Sequence, residues 1–178
     1  MKTKVWLILA VFIILTFSES KAQTSRTLDA FDHICVASRL DHKLGSELVD
    51  MFSKQYSIAL RDPPDGMIRQ INPNATQGWG LIDGRNMMVV LFGKTPDGTF
   101  LSNSCAITTR GMPFKEGKSL VEKAYQVQKI DEFRQGTSQL TVYHVNLVGF
   151  GRRKIAISVQ GFPGDVATSI GLYELPPS

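Results

Sequence analysis

Two cysteines are the side chains of this sequence with the widest chemical repertoire. Cys35 and Cys105 are the only cysteines in the chain. Redox-active pairs usually occupy a C-x-x-C motif, and structural zinc sites take four ligands at short spacings; the sequence has neither pattern. In an exported protein, an even and widely spaced pair most often forms a structural disulfide. Such a bridge would close a loop of about 70 residues and contribute roughly 4 kcal/mol. We expect this bridge; two buried free thiols and a chemically active pair are the alternatives.

Histidine adds one catalytic alternative. Among His33, His42 and His144, only His144 is a conceivable base for a Cys105 nucleophile. That pair would make the protein a thiol enzyme or a small hydrolase, but a disulfide would remove the thiol. The sequence contains no G-x-S-x-G serine elbow and no glycine-rich phosphate loop before a helix. We therefore predict no catalytic residue, no metal ligand and no cofactor.

Two features are candidates for ligand contact. Trp79 lies between two glycines at the end of a connector, residues 61–78, which is long for a compact domain and therefore suits a binding loop. Arg152 and Arg153 form a basic hairpin tip that could touch anionic lipid or polysaccharide. The plain alternatives are a core tryptophan and a solvated turn. Asn74 opens a glycosylation sequon in the connector, which matters only in a eukaryotic source.

The first residues of the chain predict export. Lys2 and Lys4 precede an uncharged, mostly apolar run from Val5 to Phe17, and a short polar stretch then ends at Ala22. This order is typical of a secretory signal peptide, here residues 1–22. The apolar run is shorter than the roughly 20 residues that a transmembrane helix needs. We expect a cleaved leader and no membrane span in the mature chain; an uncleaved N-terminal anchor is the alternative.

The mature chain, residues 23–178, is long enough for one domain with a substantial core. Loss of the leader lowers the formal net charge from +4 to +2, because three lysines and one glutamate leave with it. A weak positive charge without clustered Lys and Arg argues against a nucleic-acid partner. The expected location is the periplasm or the outside of the cell.

Hydrophobic periodicity predicts an α+β domain with the element order α-α-β-β-β-α-β-β. Two helices begin it, and Asp41 is the expected N-cap of the second. A capping box predicts the third helix at 119–135. The tail from Asp165 to Ser178 is ambiguous, and its residues 165–172 could form one helical turn or so. The predicted helices are 27–39, 41–56 and 119–135, and the predicted strands are 79–82, 86–94, 99–109, 139–150 and 154–162. Hairpin connections then imply a mostly antiparallel sheet of about five strands with helices packed on one face.

Three local patterns add a resemblance. The Phe31-x-x-x-Cys35 helix, Trp79 ahead of the run from Met88 to Leu91, and the segment Asn103-Ser104-Cys105-Ala106-Ile107 together resemble small two-cysteine proteins exported by proteobacteria. The resemblance implies the disulfide and the exported location. It brings no established activity with it.

These observations favour an exported binding protein over an enzyme. We expect a protein or cell-envelope partner and an accessory, inhibitor or immunity-type role, because no catalytic constellation accompanies the export signal. The alternatives are a thiol enzyme or small hydrolase that uses Cys105 and His144, and a cell-envelope ligand binder that uses Trp79 and the 61–78 loop.

Overall fold

The described strands form one antiparallel sheet. The computed structural model describes residues 24–63, 66–84, 86–97 and 100–176. The strand order is β1-β2-β3-β4-β8-β7-β6-β5, and every neighbouring pair is antiparallel. The strands are β1 (Ala59–Arg61), β2 (Ala75–Asp83), β3 (Asn86–Asp97), β4 (Phe100–Arg110), β5 (Val127–Gln135), β6 (Ser138–Val145), β7 (Ile155–Gly161) and β8 (Ala167–Glu174).

Four helices accompany the sheet in the described ranges. They are α1 (residues 24–38), α2 (His42–Tyr56), α3 (Met67–Ile71) and α4 (Phe114–Ala124). Helices α1, α2 and α4 bury their apolar side chains in one core with a single face of the sheet. Helix α3 lies on the opposite face, where Ile68 packs close to Gly78 and Leu91.

The predicted five-strand sheet is wrong, because the sheet has eight strands. The predicted order α-α-β-β-β-α-β-β omits β1, β5, β8 and the short helix α3. Helices packed on one face are also an incomplete description, since α3 covers part of the other face. Strand β1 has only three residues, too few for an alternating pattern to be recognised.

Strand β5 was missed because its sequence fits a helical period. The predicted helix at 119–135 instead runs from Phe114 to Ala124, and Val127–Gln135 is a strand. A register shift between Lys129 and Asp131 marks a β-bulge, which breaks the alternation that identifies a strand. The residues of β5 also lie at the edge of the sheet, so its charged side chains resemble those of a solvated helix.

Strand β8 was missed for a different reason. It lies in the middle of the sheet between β4 and β7, with Ile170 and Leu172 fully buried. Gly171 faces the other side, where a Cβ would lie 2.7 Å from the Ser158 Oγ. The Ser158 hydroxyl thus takes the space that a side chain at position 171 would use, and the glycine lowers the strand propensity of the segment.

A buried disulfide joins α1 to the middle of the sheet. Cys35 and Cys105 are bonded, with their Cα atoms 5.3 Å apart, and both are fully buried. The predicted pairing is confirmed. Phe31 and Ile34 are buried on the same helix face as Cys35, as the sequence periodicity predicts.

Helix α2 packs against β3 at a glycine. Asp41 caps the helix by accepting a hydrogen bond from the Leu44 amide at 2.8 Å, as predicted. The buried face consists of Gly45, Val49 and Phe52. A Cβ on Gly45 would lie 2.6 Å from the Phe92 Cε1, so the missing side chain is what allows the helix to approach the strand.

The predicted signal peptide, residues 1–22, lies outside the described residues. Among the described helices, none is long and apolar enough to cross a membrane.

Gly45→Ala should destabilise the protein by about 1–3 kcal/mol, because the added methyl overpacks a fully buried ring. Helix propensity alone predicts the opposite sign, a gain of about 0.5–1 kcal/mol. Urea unfolding of both proteins measures the difference. The neighbouring half-buried Ser46 provides the control Ser46→Ala, which should be neutral or slightly stabilising. Equal or greater stability of Gly45→Ala would contradict the close packing.

Candidate binding surface

The hypothetical Cys105–His144 pair does not assemble. The Cys105 sulfur is in the disulfide. Through the cross-strand pairs of β4, β8, β7 and β6, Cys105 shares a face of the sheet with Tyr143. Since successive residues of a strand point to opposite faces, His144 points away from Cys105. The two side chains therefore lie on different sides of the sheet.

Trp79 belongs to the margin of the core. It is half-buried and packs against the main apolar cluster, with its ring edge-on to Phe92 at 6.1 Å. The 61–78 segment is also more regular than predicted, since it contains α3 and the first residues of β2; residues 64 and 65 lie outside the described ranges. These contacts favour the core-tryptophan alternative over a ligand anchor.

The basic pair lies in the connection between β6 and β7. Arg153 lies 4.9 Å above the Phe150 ring, and its Nη1 is 3.9 Å from a carboxylate oxygen of Glu174. It also donates to the backbone carbonyl of Arg39 at 3.4 Å, so this guanidinium fastens the connection to the turn after α1. Arg152 is exposed. No group of three acidic, histidine or cysteine side chains suited to a metal occurs among the described residues.

A surface groove lies where the N-terminus of α4 meets the edge of the sheet. Its volume is about 370 Å³. The nearly buried ring of Phe114 contributes apolar surface to it, and the charged side chains come from β5. The lining residues are Phe114, Glu132, Phe133, Arg134 and Gln139. None of them is a residue that the sequence predicted for ligand contact.

Charge pairs link α4 and the rest of β5 to Glu132, one of the residues that line the groove. The Lys118 ammonium of α4 lies 2.8 Å from the Glu132 Oε2, and the Lys129 ammonium lies 3.1 Å from the same oxygen. Hydrogen bonds from Lys118, and next from Lys129, hold the pKa of Glu132 below its ordinary value. A second link runs from the Tyr143 hydroxyl to a Glu122 carboxylate oxygen at 2.7 Å. Burial, and next this hydrogen bond, raise the pKa of Tyr143, so the tyrosine stays a neutral donor.

The two edges of the sheet differ in length. One edge is the three-residue β1 and the other is the nine-residue β5. Residues 128–134 are all exposed, and they include two large apolar side chains, Ile130 at 51% and Phe133 at 43% exposure. An edge strand offers unpaired backbone amides and carbonyls to another chain. The groove and the β5 edge together form the candidate binding surface.

Sequence reasoning missed this surface because it placed residues 127–135 in a helix. A signal was nonetheless present. Gly136 and Thr137 separate Glu132-Phe133-Arg134 from an alternating run that starts at Ser138, and a two-residue turn containing glycine is typical of a hairpin. The capping box at 119–122 outweighed that signal, although the helix begins earlier, at Phe114.

A polar cluster around His42 lies at the start of α2. The ring packs edge-on to Phe92 at 5.3 Å, and its Nδ1 is 3.4 Å from the Thr76 hydroxyl. Its buried Nε2 has no hydrogen-bond partner among the described residues. Burial, and next the charge of Lys94, lower the pKa of His42. The cluster joins α2 to β2 and β3, and its groups have no catalytic arrangement.

Comparison with known proteins gives no relative for this chain: no protein-family model matches it, and neither a curated protein nor a solved structure is significantly similar.

The lowered pKa of His42 predicts an acid-sensitive stability. As the pH falls below about 6.5, the unfolded chain binds a proton before the folded chain does, so the free energy of unfolding decreases. His42→Asn should make this decrease shallower between pH 7 and pH 5, as measured by urea unfolding at each pH. The free energy of unfolding of His42→Asn at pH 7.5 serves as its reference. A difference from the natural chain at that pH reports lost packing, and only the further change toward pH 5 reports the lost titration of His42. Parallel curves for the two proteins would contradict the assignment.

Proposed function

We propose that this chain is an exported binding protein that holds an extended segment of a partner polypeptide against the β5 edge. The single observation that carries the proposal is the nine-residue edge strand, exposed over residues 128–134, with a preformed groove beside it. The periplasm or the outside of the cell is the proposed location, which a buried disulfide suits.

Strand addition explains why these two features occur together. Backbone hydrogen bonds along an edge strand provide affinity for any extended segment, and adjacent pockets select its alternate side chains. Here the apolar surface of Phe114 and the charges of Glu132 and Arg134 line the groove next to the edge. A partner strand would therefore place an apolar or an oppositely charged side chain into it.

The catalytic alternative receives no support from the geometry. The Cys105 sulfur is bonded to Cys35, and His144 points to the other face of the sheet. The envelope-ligand alternative is also weaker, because the Trp79 ring packs on Phe92. An accessory, inhibitor or immunity-type role remains compatible with capture of a partner strand.

A photo-cross-linking amino acid in place of Phe133 tests the proposal in cells that export the full chain. We expect a discrete cross-linked polypeptide from position 133. Val148 is fully exposed in the connection between β6 and β7, and the same amino acid there should give no such product. Products that are identical at both positions, or absent at position 133, would contradict the proposed surface.

Two variants of Arg134 then separate backbone pairing from side-chain contact. Arg134→Pro removes the amide of an edge residue, which proline tolerates at a sheet edge, and it should reduce the cross-linked product at least about tenfold. The matched control Arg134→Ala keeps the amide and removes only the charge, so it should retain more of the product. Equal yields from both variants would show that the contact does not use strand addition.

A further inference from the structure

The turn between β5 and β6 determines which amides face the open edge. Gln135 pairs with Ser138 across the two-residue turn, in which Gly136 has a φ of 62°. A turn of this length closes with a backbone hydrogen bond between its flanking residues. Alternation along the strand then directs the amides and carbonyls of Gln135 and Phe133 toward β6, and those of Arg134 and Glu132 toward the open edge.

An independent contact agrees with this alternation. The Glu132 amide donates to the Asp131 side chain at 2.7 Å and not to a carbonyl of β6. The amide therefore faces outward, with an exposed side chain of its own strand as acceptor. An incoming strand can replace that carboxylate with a backbone carbonyl.

The regular part of the edge is complementary to itself. Beyond the bulge, the strand reads Asp131-Glu132-Phe133-Arg134-Gln135. If two copies pair antiparallel with Phe133 opposite Phe133, then Glu132 of each copy faces Arg134 of the other. The four outward-facing backbone residues meet as two hydrogen-bonded pairs, and the two phenylalanines form the closer, non-hydrogen-bonded pair between them.

Side-chain chemistry favours the same register. Both lysine contacts of Glu132 go to Oε2, and no described residue donates to Oε1, so that oxygen can accept from a guanidinium. Centring the pair on Glu132 or on Arg134 would place like charges opposite each other. If the two-fold axis lay between two residues, each outward-facing amide would lie opposite an inward-facing one. Such a pairing forms no ladder of backbone hydrogen bonds.

We propose that the polypeptide bound at the β5 edge is a second copy of this chain, paired antiparallel about a two-fold axis at Phe133, so that one sheet continues through both copies. This inference rests on the proposed function, because it names the partner of the same edge. The exposed Phe133 becomes the centre of the interface, and the mutual Glu132–Arg134 pairs set its register.

A single cysteine tests the axis. Phe133→Cys would place two thiols opposite each other with Cα atoms about 4.5 Å apart, within the range of a disulfide. The two native cysteines are bonded to each other, so the new thiol is the only reactive one. We expect spontaneous cross-linking of the full exported chain to a dimer. Ile130→Cys, also exposed on β5, is the matched control and should stay monomeric, because this register places its two copies far apart. Equal cross-linking of both variants would overturn the register.

Charge reversal tests the pairing without a covalent bond. In a dimer of Arg134→Glu, carboxylates lie opposite each other at both 132–134 pairs, and in a dimer of Glu132→Arg, guanidinium groups do. Each variant alone should therefore dimerise at least about tenfold more weakly than the natural chain. An equimolar mixture restores both opposite-charge pairs and should form a heterodimer. Sedimentation over a concentration series measures the dimerisation of each variant, of their mixture and of the natural chain. Circular dichroism checks that Glu132→Arg folds without its lysine contacts.

The outcomes separate the inference from the proposed function. A natural chain that stays monomeric, with no preferential cross-linking of Phe133→Cys, overturns the second-copy proposal. If position 133 still photo-cross-links to another polypeptide, the proposed function stands and only the identity of the partner changes. If the mixture of reversed variants fails to restore a dimer that the natural chain forms, the Glu132–Arg134 register is wrong.

Discussion

The distance between α2 and the sheet depends on the contact between Gly45 and Phe92. The Phe92 ring fills the space that a side chain at position 45 would take, and the rings of His42 and Trp79 meet it edge-on. Phe92 is also the cross-strand partner of Cys105, so the disulfide to α1 lies in the next position of the same layer. One helix is thus set by close packing and the other by a covalent bond. With α1 and α2 both held in this way, the helical layer has little freedom to shift over the sheet, since packed interiors resist small displacements.

At the far end of the sheet, α4 is held both by close packing and by polar links. Gly117 of α4 and Gly161 of β7 allow the close approach, since a Cβ on them would lie 2.7 Å from the Thr168 Cγ2 and the Phe114 Cβ, respectively. There α4 reaches β5 through Lys118 and Glu132 and reaches β6 through Glu122 and Tyr143. Exposed ion pairs of this kind contribute little stability, but they orient the side chains that line the groove. The result is a groove with one apolar side, from Phe114, and one charged side, from β5. The accessible β5 edge therefore lies beside a helix that is itself packed into the main core.

Much of the first half of the fold follows from sequence patterns. The apolar stripe of α1, the Asp41 cap, the strands around Met88 and Cys105 and the disulfide were all predictable, because strong local signals and burial agree there. In the second half, β6 and β7 lie close to the predicted strands 139–150 and 154–162, whereas β5 and β8 were not predicted. The charged residues of β5 fit the pattern of a solvated helix. Glycine and serine lower the strand propensity of β8, and the proximity of Gly171 to Ser158 arises only in the folded sheet. The candidate binding surface includes the β5 edge, so a sequence analysis that places residues 127–135 in a helix cannot predict it. Trp79 drew attention because of its residue type, whereas its position beside Phe92 is a matter of packing.

The strand order also bears on the order in which parts of the chain can fold. The first four strands form one consecutive meander and the last four form another, and the two halves meet where β4 pairs with β8. Both cysteines belong to the first half, Cys35 in α1 and Cys105 in β4. The disulfide can therefore form before β8 has paired with β4. In that order of events, the last four strands would dock onto a β4 edge that the disulfide already holds, and fewer distant contacts would be left to form.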